Sequence, residues 1–263
     1  MSSDSTPVLR RQDHGRVRLL TLDREKALNA FNDALYDAVR DALGEAAEDS
    51  GVAVVIVTGS GRAFSAGQDL GELARPARHT DGAPHGFTPF IETVEAFPKP
   101  LIAAVNGIGV GIGLTLLPHC DLVLIAEGAR LRAPFVSLGV TAEAGSTVLL
   151  PSTIGWQAAA HLLYTADWIT AEQAVAMGLA LRADAPERLL DEALELAATI
   201  AAMPIDSLVA TKRLLLDARL DAVRAARARE APAFAKLAGG AANREAIAAF
   251  RERRDPDFTR LER

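Results

Sequence analysis

The alternation of buried strands with amphipathic helices constrains the fold of this chain more than any other feature. Residues 52–57 are continuously apolar and rich in β-branched side chains, which is typical of a strand covered on both faces of its sheet. Residues 32–48 place apolar side chains at the three-to-four spacing of a helix, and Asn32 is a candidate N-cap. The apolar runs 101–105 and 122–125 repeat the strand pattern. The sequence therefore predicts an α/β architecture for the first two thirds of the chain.

The last third of the chain has a different composition. From residue 156 onward the pattern is helical, and Thr170 with Gln173 has the spacing of a capping box. Beyond it the sequence becomes rich in Ala, Arg and Leu without a strand signal. We predict a core over residues 1–200 and a helical C-terminal subdomain over residues 201–263. The apolar faces of these helices need either the core or a partner subunit to cover them.

Charge and composition exclude several classes of protein. The chain has 28 Lys and Arg against 34 Asp and Glu, and this net charge of −6 argues against a general nucleic-acid binder. The only cysteine, Cys120, excludes an internal disulfide. The apolar stretch 101–120 contains Asn106 and four glycines, so it resembles a strand and turn more than a membrane span. Residues 1–18 lack the apolar segment of a signal peptide, and we expect a cytoplasmic protein that binds neither nucleic acid nor membrane.

Several segments of the sequence are similar to known catalytic motifs, but each differs from its motif at a required position. Phe64 stands where a dinucleotide fingerprint needs its last glycine. Ser65 lies in a segment similar to a nucleophile elbow, but Ala63 replaces the first glycine of that motif. His119 and Cys120 are adjacent, which is not the spacing of metal ligands, so we expect no metal site.

Three loops remain as candidates for function. Residues 64–70 and 106–113 are rich in small residues and follow predicted strands, so each can turn backbone N–H groups toward an anion. Tight packing of strand on helix explains the same glycines equally well. Residues 73–89, with His79 and His85, show no periodicity and predict a long loop.

A set of ordered motifs resembles the enoyl-CoA hydratase/isomerase (crotonase) superfamily. The motifs are Arg62-Ala-Phe-Ser-Ala-Gly-Gln-Asp-Leu70, Lys99-Pro-Leu-Ile-Ala-Ala-Val-Asn-Gly107, Cys120-Asp121, Leu138-Gly139 and Thr170-Ala-Glu-Gln-Ala-Val-Ala-Met-Gly-Leu179. The resemblance covers residues 17–181. It implies a crotonase-like spiral of ββα units, an acyl-CoA-binding catalytic core with a helical C-terminal region, and a role in fatty acid metabolism. It also implies assembly into a homotrimer or homohexamer through the C-terminal helices.

The resemblance assigns roles to individual residues. The backbone N–H groups of Ala66 and Ile112 would form an oxyanion hole for a thioester carbonyl. The acyl-CoA site would be lined by Ala66, Gly67, Gln68, Asp69 and Leu70. Arg24 and Lys26 would contact the phosphates of CoA, although ordinary solvated charges are the alternative. Coenzyme A is part of the substrate, so no separate cofactor is expected, and loop 73–89 would shape the acyl pocket.

The choice of reaction rests on the carboxylates. Hydratases of this superfamily use two glutamates, and the matching positions here are Thr115 and Phe135. Glu143, eight residues beyond Phe135, resembles the single acid of the Δ3,Δ2-enoyl-CoA isomerase branch. Its apolar sequence neighbours are expected to raise its pKa by desolvation. The alternatives are an exposed loop glutamate, a family member of other activity such as a hydratase, and a non-catalytic acyl-CoA-binding protein.

Overall fold

The structure is a computed structural model that describes residues 7–74 and 82–260. Its strands are β1 (Leu9–His14), β2 (Val17–Leu22), β3 (Val54–Gly59), β4 (Ala63–Ser65), β5 (Leu101–Val105), β6 (Ile108–Val110), β7 (Leu122–Ala126), β8 (Arg130–Arg132), β9 (Trp168–Thr170) and β10 (Arg182–Asp184). They form a six-stranded sheet in the order β1-β2-β3-β5-β7-β10 and a four-stranded sheet in the order β4-β6-β8-β9.

The helices surround these two sheets. They are α1 (Asp33–Glu48), α2 (Leu70–Ala74), α3 (Phe87–Ala96), α4 (Ile112–Thr115), α5 (Ser146–Ile154), α6 (Trp156–Thr165), α7 (Ala171–Ala176), α8 (Leu189–Ala201), α9 (Ile205–Asp217), α10 (Leu220–Leu237) and α11 (Ala241–Glu252). Short 3₁₀ turns lie at Glu25–Ala27, Leu117–His119, Val136–Leu138 and Phe258–Arg260.

The chain winds between the sheets in repeated units. Each unit places one strand in the large sheet and the next in the small sheet, and a helix follows, as in β5-β6-α4 and β7-β8 before α5. Neighbouring units pair in parallel, with β3 beside β5 and β4 beside β6. The predicted α/β spiral of ββα units with a helical C-terminal region is therefore confirmed. This winding brings the loops after β4 and β6 to the same edge of the small sheet.

Several predicted elements match the structure closely. Strand β5 has the bounds of the apolar run at 101–105, and β7 begins with the run at 122–125 and ends one residue beyond it. Helix α1 begins at Asp33, and the side chain of Asn32 caps it by accepting from the N–H of Leu35 at 3.1 Å. The expectation of an all-helical chain from residue 156 onward is wrong. Strand β10 extends the large sheet beside β7, and strands of three residues are too short to show a period of two.

The predicted loop 73–89 is shorter than expected. Helix α2 extends to Ala74 and α3 begins at Phe87, so Pro89 lies in the first turn of a helix, where proline is tolerated. His79 lies outside the described residues. His85 contacts the carboxylate of Asp37 on α1 and thereby fastens the segment before α3 to that helix.

The C-terminal helices pack on the core. The ammonium of Lys212 on α9 is buried and lies 2.5 Å from a carboxylate oxygen of Asp121, next to the start of β7. The side-chain amide of Asn243 on α11 donates to the Leu138 carbonyl at 2.7 Å. Whether residues 201–263 form a subdomain of their own stays a prediction. Among the described residues, no single helix is long and apolar enough to cross a membrane, and α8 and α9 pass that test only as a pair bent by 104°.

Candidate active site

The loops after β4 and β6 touch each other through glycines. Gly67 has a φ of +95°, and a Cβ there would lie 2.8 Å from the Val110 carbonyl oxygen. A Cβ on Gly113 would lie 2.5 Å from the carbonyl oxygen of Ser65. Glycine is therefore required at both positions, because a side chain would separate the two loops.

The backbone N–H of Ala66 does not face a ligand. It donates to the Leu28 carbonyl at 2.9 Å, so the predicted role of Ala66 in an oxyanion hole is wrong. Ser65 stabilises this arrangement, since its hydroxyl donates to the Asn29 carbonyl at 2.9 Å and accepts from the N–H of Gly67 at 3.2 Å. Ser65 is fully buried, and these bonds identify it as a structural residue.

Gln68 is the residue of this loop whose N–H points away from the pairing with Phe31. Phe31 bridges this segment in parallel: its N–H donates to the Gly67 carbonyl at 2.7 Å, and its carbonyl accepts from the N–H of Asp69 at 2.8 Å. A parallel bridge of this kind turns the N–H of the middle residue, Gln68, to the opposite side. Tyr36 fixes the side chain of Gln68 by donating its hydroxyl to Oε1 at 2.8 Å.

Ile112 supplies a second N–H group. It is the first residue of α4, and the N–H groups of Leu114 and Thr115 both turn back to the Gly111 carbonyl at 2.8 Å. The first N–H groups of a helix have no partner within the helix. Across the described ranges, neither Gln68 nor Ile112 uses its N–H in a hydrogen bond. The two touching loops thus offer a pair of donors to an oxygen atom of a ligand.

Glu143 lies next to the end of α4. The hydroxyl of Thr115, which is fully buried, donates to Oε1 of Glu143 at 2.7 Å. Glu143 is partly buried, and burial raises its pKa to about 8, while the hydrogen bond from Thr115 acts in the opposite direction. The expected rise of this pKa by desolvation is confirmed, and Glu143 is not an exposed loop glutamate. From the sequence, Thr115 was expected only to lack the acid of a hydratase, and its contact with Glu143 was not predicted.

The backbone after Glu143 has an unusual conformation. Ala144 and Gly145 have φ values of +62° and +70°, and the first of these is costly for a residue with a Cβ. His119 is buried, which lowers its pKa to about 4, so its ring is neutral at pH 7. Its Nε2–H donates to the Ala144 carbonyl at 2.7 Å. The turn that carries Glu143 is therefore attached to the core directly after the carboxylate.

An apolar cavity adjoins this turn. Phe135 lines it, and the cavity has a volume of about 180 Å³. Thr141 and Ala142, which directly precede Glu143, belong to the same wall. A larger cavity of about 520 Å³ lies between α6 and α7 and has none of these residues in its lining. Glu143 itself is not in the lining of the smaller cavity, and only its neighbours in the chain border that space.

Arg24 and Lys26, the two basic residues predicted to contact the phosphates of CoA, have different surroundings. The guanidinium of Arg24 forms an ion pair with Asp69 at 2.9 Å and also donates to the Ala30 carbonyl. The charge of Arg24 is therefore neutralised by Asp69, a residue of the loop that was predicted to line the acyl-CoA site. The structure does not support a role of Arg24 as a phosphate contact. Lys26 is exposed on the 3₁₀ turn Glu25–Ala27 and stays a candidate. Leu70 opens α2, and Asp69 caps it by accepting from the N–H of Gly71 at 2.9 Å.

The side chains of the described residues do not indicate a metal site or a reactive thiol. Among the described residues, no group of three or more His, Cys, Asp or Glu side chains has the arrangement of a metal site. Cys120 is buried, and burial raises its pKa to about 12, so its thiol is not ionised near neutral pH.

Comparison with known proteins places this site among acyl-CoA enzymes. The family model described as enoyl-CoA hydratase/isomerase matches residues 12–261. The chain is 37% identical over 246 residues to the 2,3-dehydroadipyl-CoA hydratase of Escherichia coli (strain K12), covering 92% of this chain and 95% of the relative. It is 33% identical over 258 residues to the 1,2-epoxyphenylacetyl-CoA isomerase of the same organism, with the same coverage of 92% and 95%.

Solved structures show the same fold. The enoyl-CoA hydratase/isomerase of Pseudoalteromonas atlantica T6c superposes with a TM-score of 0.92 at 33% identity, covering 96% of this chain and all of the other. The carnitinyl-CoA hydratase of Mycobacterium avium superposes with a TM-score of 0.88 at 31% identity, covering 98% and 100% of the two chains. The similarity extends over the core and the C-terminal helices.

Proposed function

The chain belongs to the enoyl-CoA hydratase/isomerase family, and we propose that it is a Δ3,Δ2-enoyl-CoA isomerase in which Glu143 is the single acid and base. The observation that carries the proposal is the contact of Glu143 with Thr115 at 2.7 Å, on the same short helix whose first residue is Ile112. A carboxyl group with a pKa of about 8 is present in both forms near neutral pH, so the ionised form can remove a proton and the protonated form can return one.

The proposed reaction moves one proton and one double bond. The Glu143 carboxylate removes a proton from C2 of a 3-enoyl thioester, and the electron pair of that C–H bond moves into the thioester as a dienolate. The protonated Glu143 then delivers the proton to C4, the thioester carbonyl re-forms, and the double bond shifts from C3–C4 to C2–C3. Atoms and charge balance without water or a cofactor.

The negative charge of the dienolate needs hydrogen-bond donors. We assign this role to the N–H groups of Gln68 and Ile112, which replace the pair expected from the sequence. Each donor of an oxyanion hole contributes about 3–4 kcal/mol to the developing charge. Gly67 and Gly113 keep the two loops in contact, so both donors are fixed before the substrate binds.

Hydration is the second candidate, because relatives of this chain are named hydratases. The usual hydratase chemistry uses two carboxylates, and the matching positions here hold Thr115, bound to Glu143, and a buried Phe135. A relative of 33% identity is named a 1,2-epoxyphenylacetyl-CoA isomerase, so the relatives are not hydratases alone. The arrangement around Glu143 therefore favours proton transfer on the substrate over activation of water.

Binding of CoA and subunit assembly belong to the same proposal. Lys26 is exposed, lies two residues before Leu28, whose carbonyl binds the loop that carries Gln68, and is our candidate for a phosphate contact. Large apolar side chains are exposed on α6 and α9, namely Trp156, Tyr164, Leu214 and Leu215. Such surfaces fit a homotrimer or homohexamer, and a mass measurement in solution tests this, because a monomer at micromolar concentration would contradict it. The cytoplasmic location stays a prediction.

Two substrates distinguish the candidate functions. The protein is incubated with trans-3-hexenoyl-CoA and with trans-2-hexenoyl-CoA, and products are identified by chromatography and mass. We expect conversion of the 3-enoyl to the 2-enoyl thioester, and no gain of water by the latter. Addition of water to the 2-enoyl substrate would support the hydratase, and binding without turnover of either substrate would support a non-catalytic acyl-CoA-binding protein.

A further inference from the structure

The helix that follows Glu143 begins without a cap of its own. The N-cap position of α5 is Gly145, which has no side chain to accept from the first N–H groups of the helix. Helix starts of this kind need an acceptor from elsewhere when they are buried. The acceptor comes from the C-terminal helices, far away in the sequence.

Glu230 on α10 provides that acceptor. Its Oε2 accepts from the N–H of Gly145 at 2.7 Å, and its Oε1 accepts from both the N–H and the hydroxyl of Thr147 at 2.9 and 2.6 Å. All three partners act as donors here, which matches a carboxylate at the positive end of a helix. Glu230 is only 6% exposed and Gly145 is buried, so water does not substitute for the bond between them, whereas Thr147 is an exposed residue.

The packing of α10 around this turn is close. A Cβ on Gly145 would lie 2.8 Å from a methyl carbon of Val223 and 3.7 Å from Cγ of Arg227, both on α10. The turn is held on its other side by His119, which bonds the Ala144 carbonyl. Ala144 has a Cβ, so its positive φ persists only when surrounding contacts determine it. Glu230 and His119 are two such contacts on either side of it, and Ser146 adds bonds to the Glu143 carbonyl from its N–H and its hydroxyl.

We propose that Glu230 is a positioning residue that holds the Glu143 carboxylate against Thr115 by fixing the turn at Gly145 and Thr147. The effect on turnover rests on the isomerase function proposed above, whereas the effect on the turn does not. The inference gives the C-terminal helix α10 a part in catalysis within its own chain.

The charge of Glu230 has an effect on the pKa of Glu143 that packing of the turn alone would not produce. The negative charge of Glu230 contributes to the raised pKa of Glu143, after the larger effect of burial. The other titratable groups around this turn do not interfere. Burial raises the pKa of Tyr36 well above its usual value, His119 is neutral, and Arg227 is paired with acids of α3. Removing the charge of Glu230 therefore lowers the pKa of Glu143.

The test uses Glu230→Gln in the full-length protein, with Glu92→Gln as the matched control. Glu92 is an exposed residue of α3 that pairs with Arg227 of α10 at 3.1 Å, and Arg227 keeps its ion pair with Glu95, so the variant removes an acid beside α10 but no hydrogen bond to the turn. For Glu230→Gln we expect a kcat at the high-pH plateau that is about 10- to 100-fold lower, with KM within about twofold of wild type. We also expect the acidic limb of the pH profile to move to lower pH, and the control to match wild type in each respect.

The outcomes separate this inference from the proposed function. A plateau kcat equal to that of Glu92→Gln, or an acidic limb that stays in place, overturns the role of Glu230 while the isomerase proposal stands. If the wild-type protein lacks isomerase activity, amide hydrogen exchange decides the matter without substrate. Faster exchange of the segment with Gly145 and Thr147 in Glu230→Gln than in Glu92→Gln then supports the role of Glu230 in fixing the turn, and equal exchange overturns it.

Discussion

Replacement of Thr115 by valine tests how the site sets the protonation of Glu143. The substitution keeps the shape of the buried side chain and removes only the hydroxyl that donates to Glu143 at 2.7 Å. This hydrogen bond favours the ionised carboxylate, so it lowers a pKa that burial raises to about 8. Thr115→Val therefore raises the pKa of Glu143 further, and the base form becomes rarer at neutral pH.

The size of the effect follows from the strength of the bond. A hydrogen bond to a charged group contributes about 1.5–3 kcal/mol, and one pKa unit corresponds to about 1.4 kcal/mol. The acidic limb of kcat/KM should thus move upward by about one to two pH units. At pH 7 this is a loss of about 10- to 100-fold in kcat/KM, and at high pH the variant should approach the wild-type plateau to within a few fold.

The assay follows conversion of the 3-enoyl thioester from pH 6 to pH 10. Thr153→Val is the matched control, because the hydroxyl of Thr153 donates to the Leu149 carbonyl within α5 at 2.8 Å and makes no bond to Glu143. Its profile should coincide with that of wild type. A Thr115→Val profile with an unmoved midpoint, or one lowered equally at every pH, would refute the reasoning.

Three further predictions concern the loops and the carboxylate. Gly113→Ala places a Cβ 2.5 Å from the Ser65 carbonyl oxygen, so urea unfolding should show a loss of about 1–3 kcal/mol, and kcat/KM should fall. Asp69→Asn removes the partner of Arg24, and the loosened loop should raise KM for acyl-CoA several-fold in steady-state assays. Because the folded-state pKa of Glu143 is raised from 4.5 to about 8, its stabilising contribution is present below pH 4.5 and lost as pH rises through 8. The free energy of unfolding in urea should therefore favour Glu143→Gln over wild type by about 2–4 kcal/mol more at pH 9 than at pH 4.

The main strands could be predicted because their signal is local. A continuous apolar run such as that of β5 indicates a strand buried on both faces of its sheet, independently of the rest of the sequence. Strands β9 and β10 have three residues each and form only because a neighbouring strand is present to pair with them. Their existence depends on tertiary contacts that no local pattern records.

The sequence was sufficient to predict which loops form the site. It was not sufficient to predict the hydrogen bonds of their individual residues. The motif at residues 62–70 locates the loop, yet the direction of each N–H group depends on pairing with Leu28 and Phe31, which come from a different part of the chain. Pairing turned the N–H of Ala66 inward and that of Gln68 outward. The contact between Thr115 and Glu143 likewise joins residues 28 positions apart.

Transfer of deuterium within the substrate tests the central claim, that Glu143 carries a proton from C2 to C4. A trans-3-enoyl thioester labelled with deuterium at C2 is converted in light water, and the position of the label in the product is read by NMR. We predict that part of the 2-enoyl product carries deuterium at C4, because a partly buried Glu143 exchanges its proton slowly with solvent, and that Glu143→Gln converts the substrate at least about 100-fold more slowly. Formation of the same labelled product by Glu143→Gln at the wild-type rate would contradict the account.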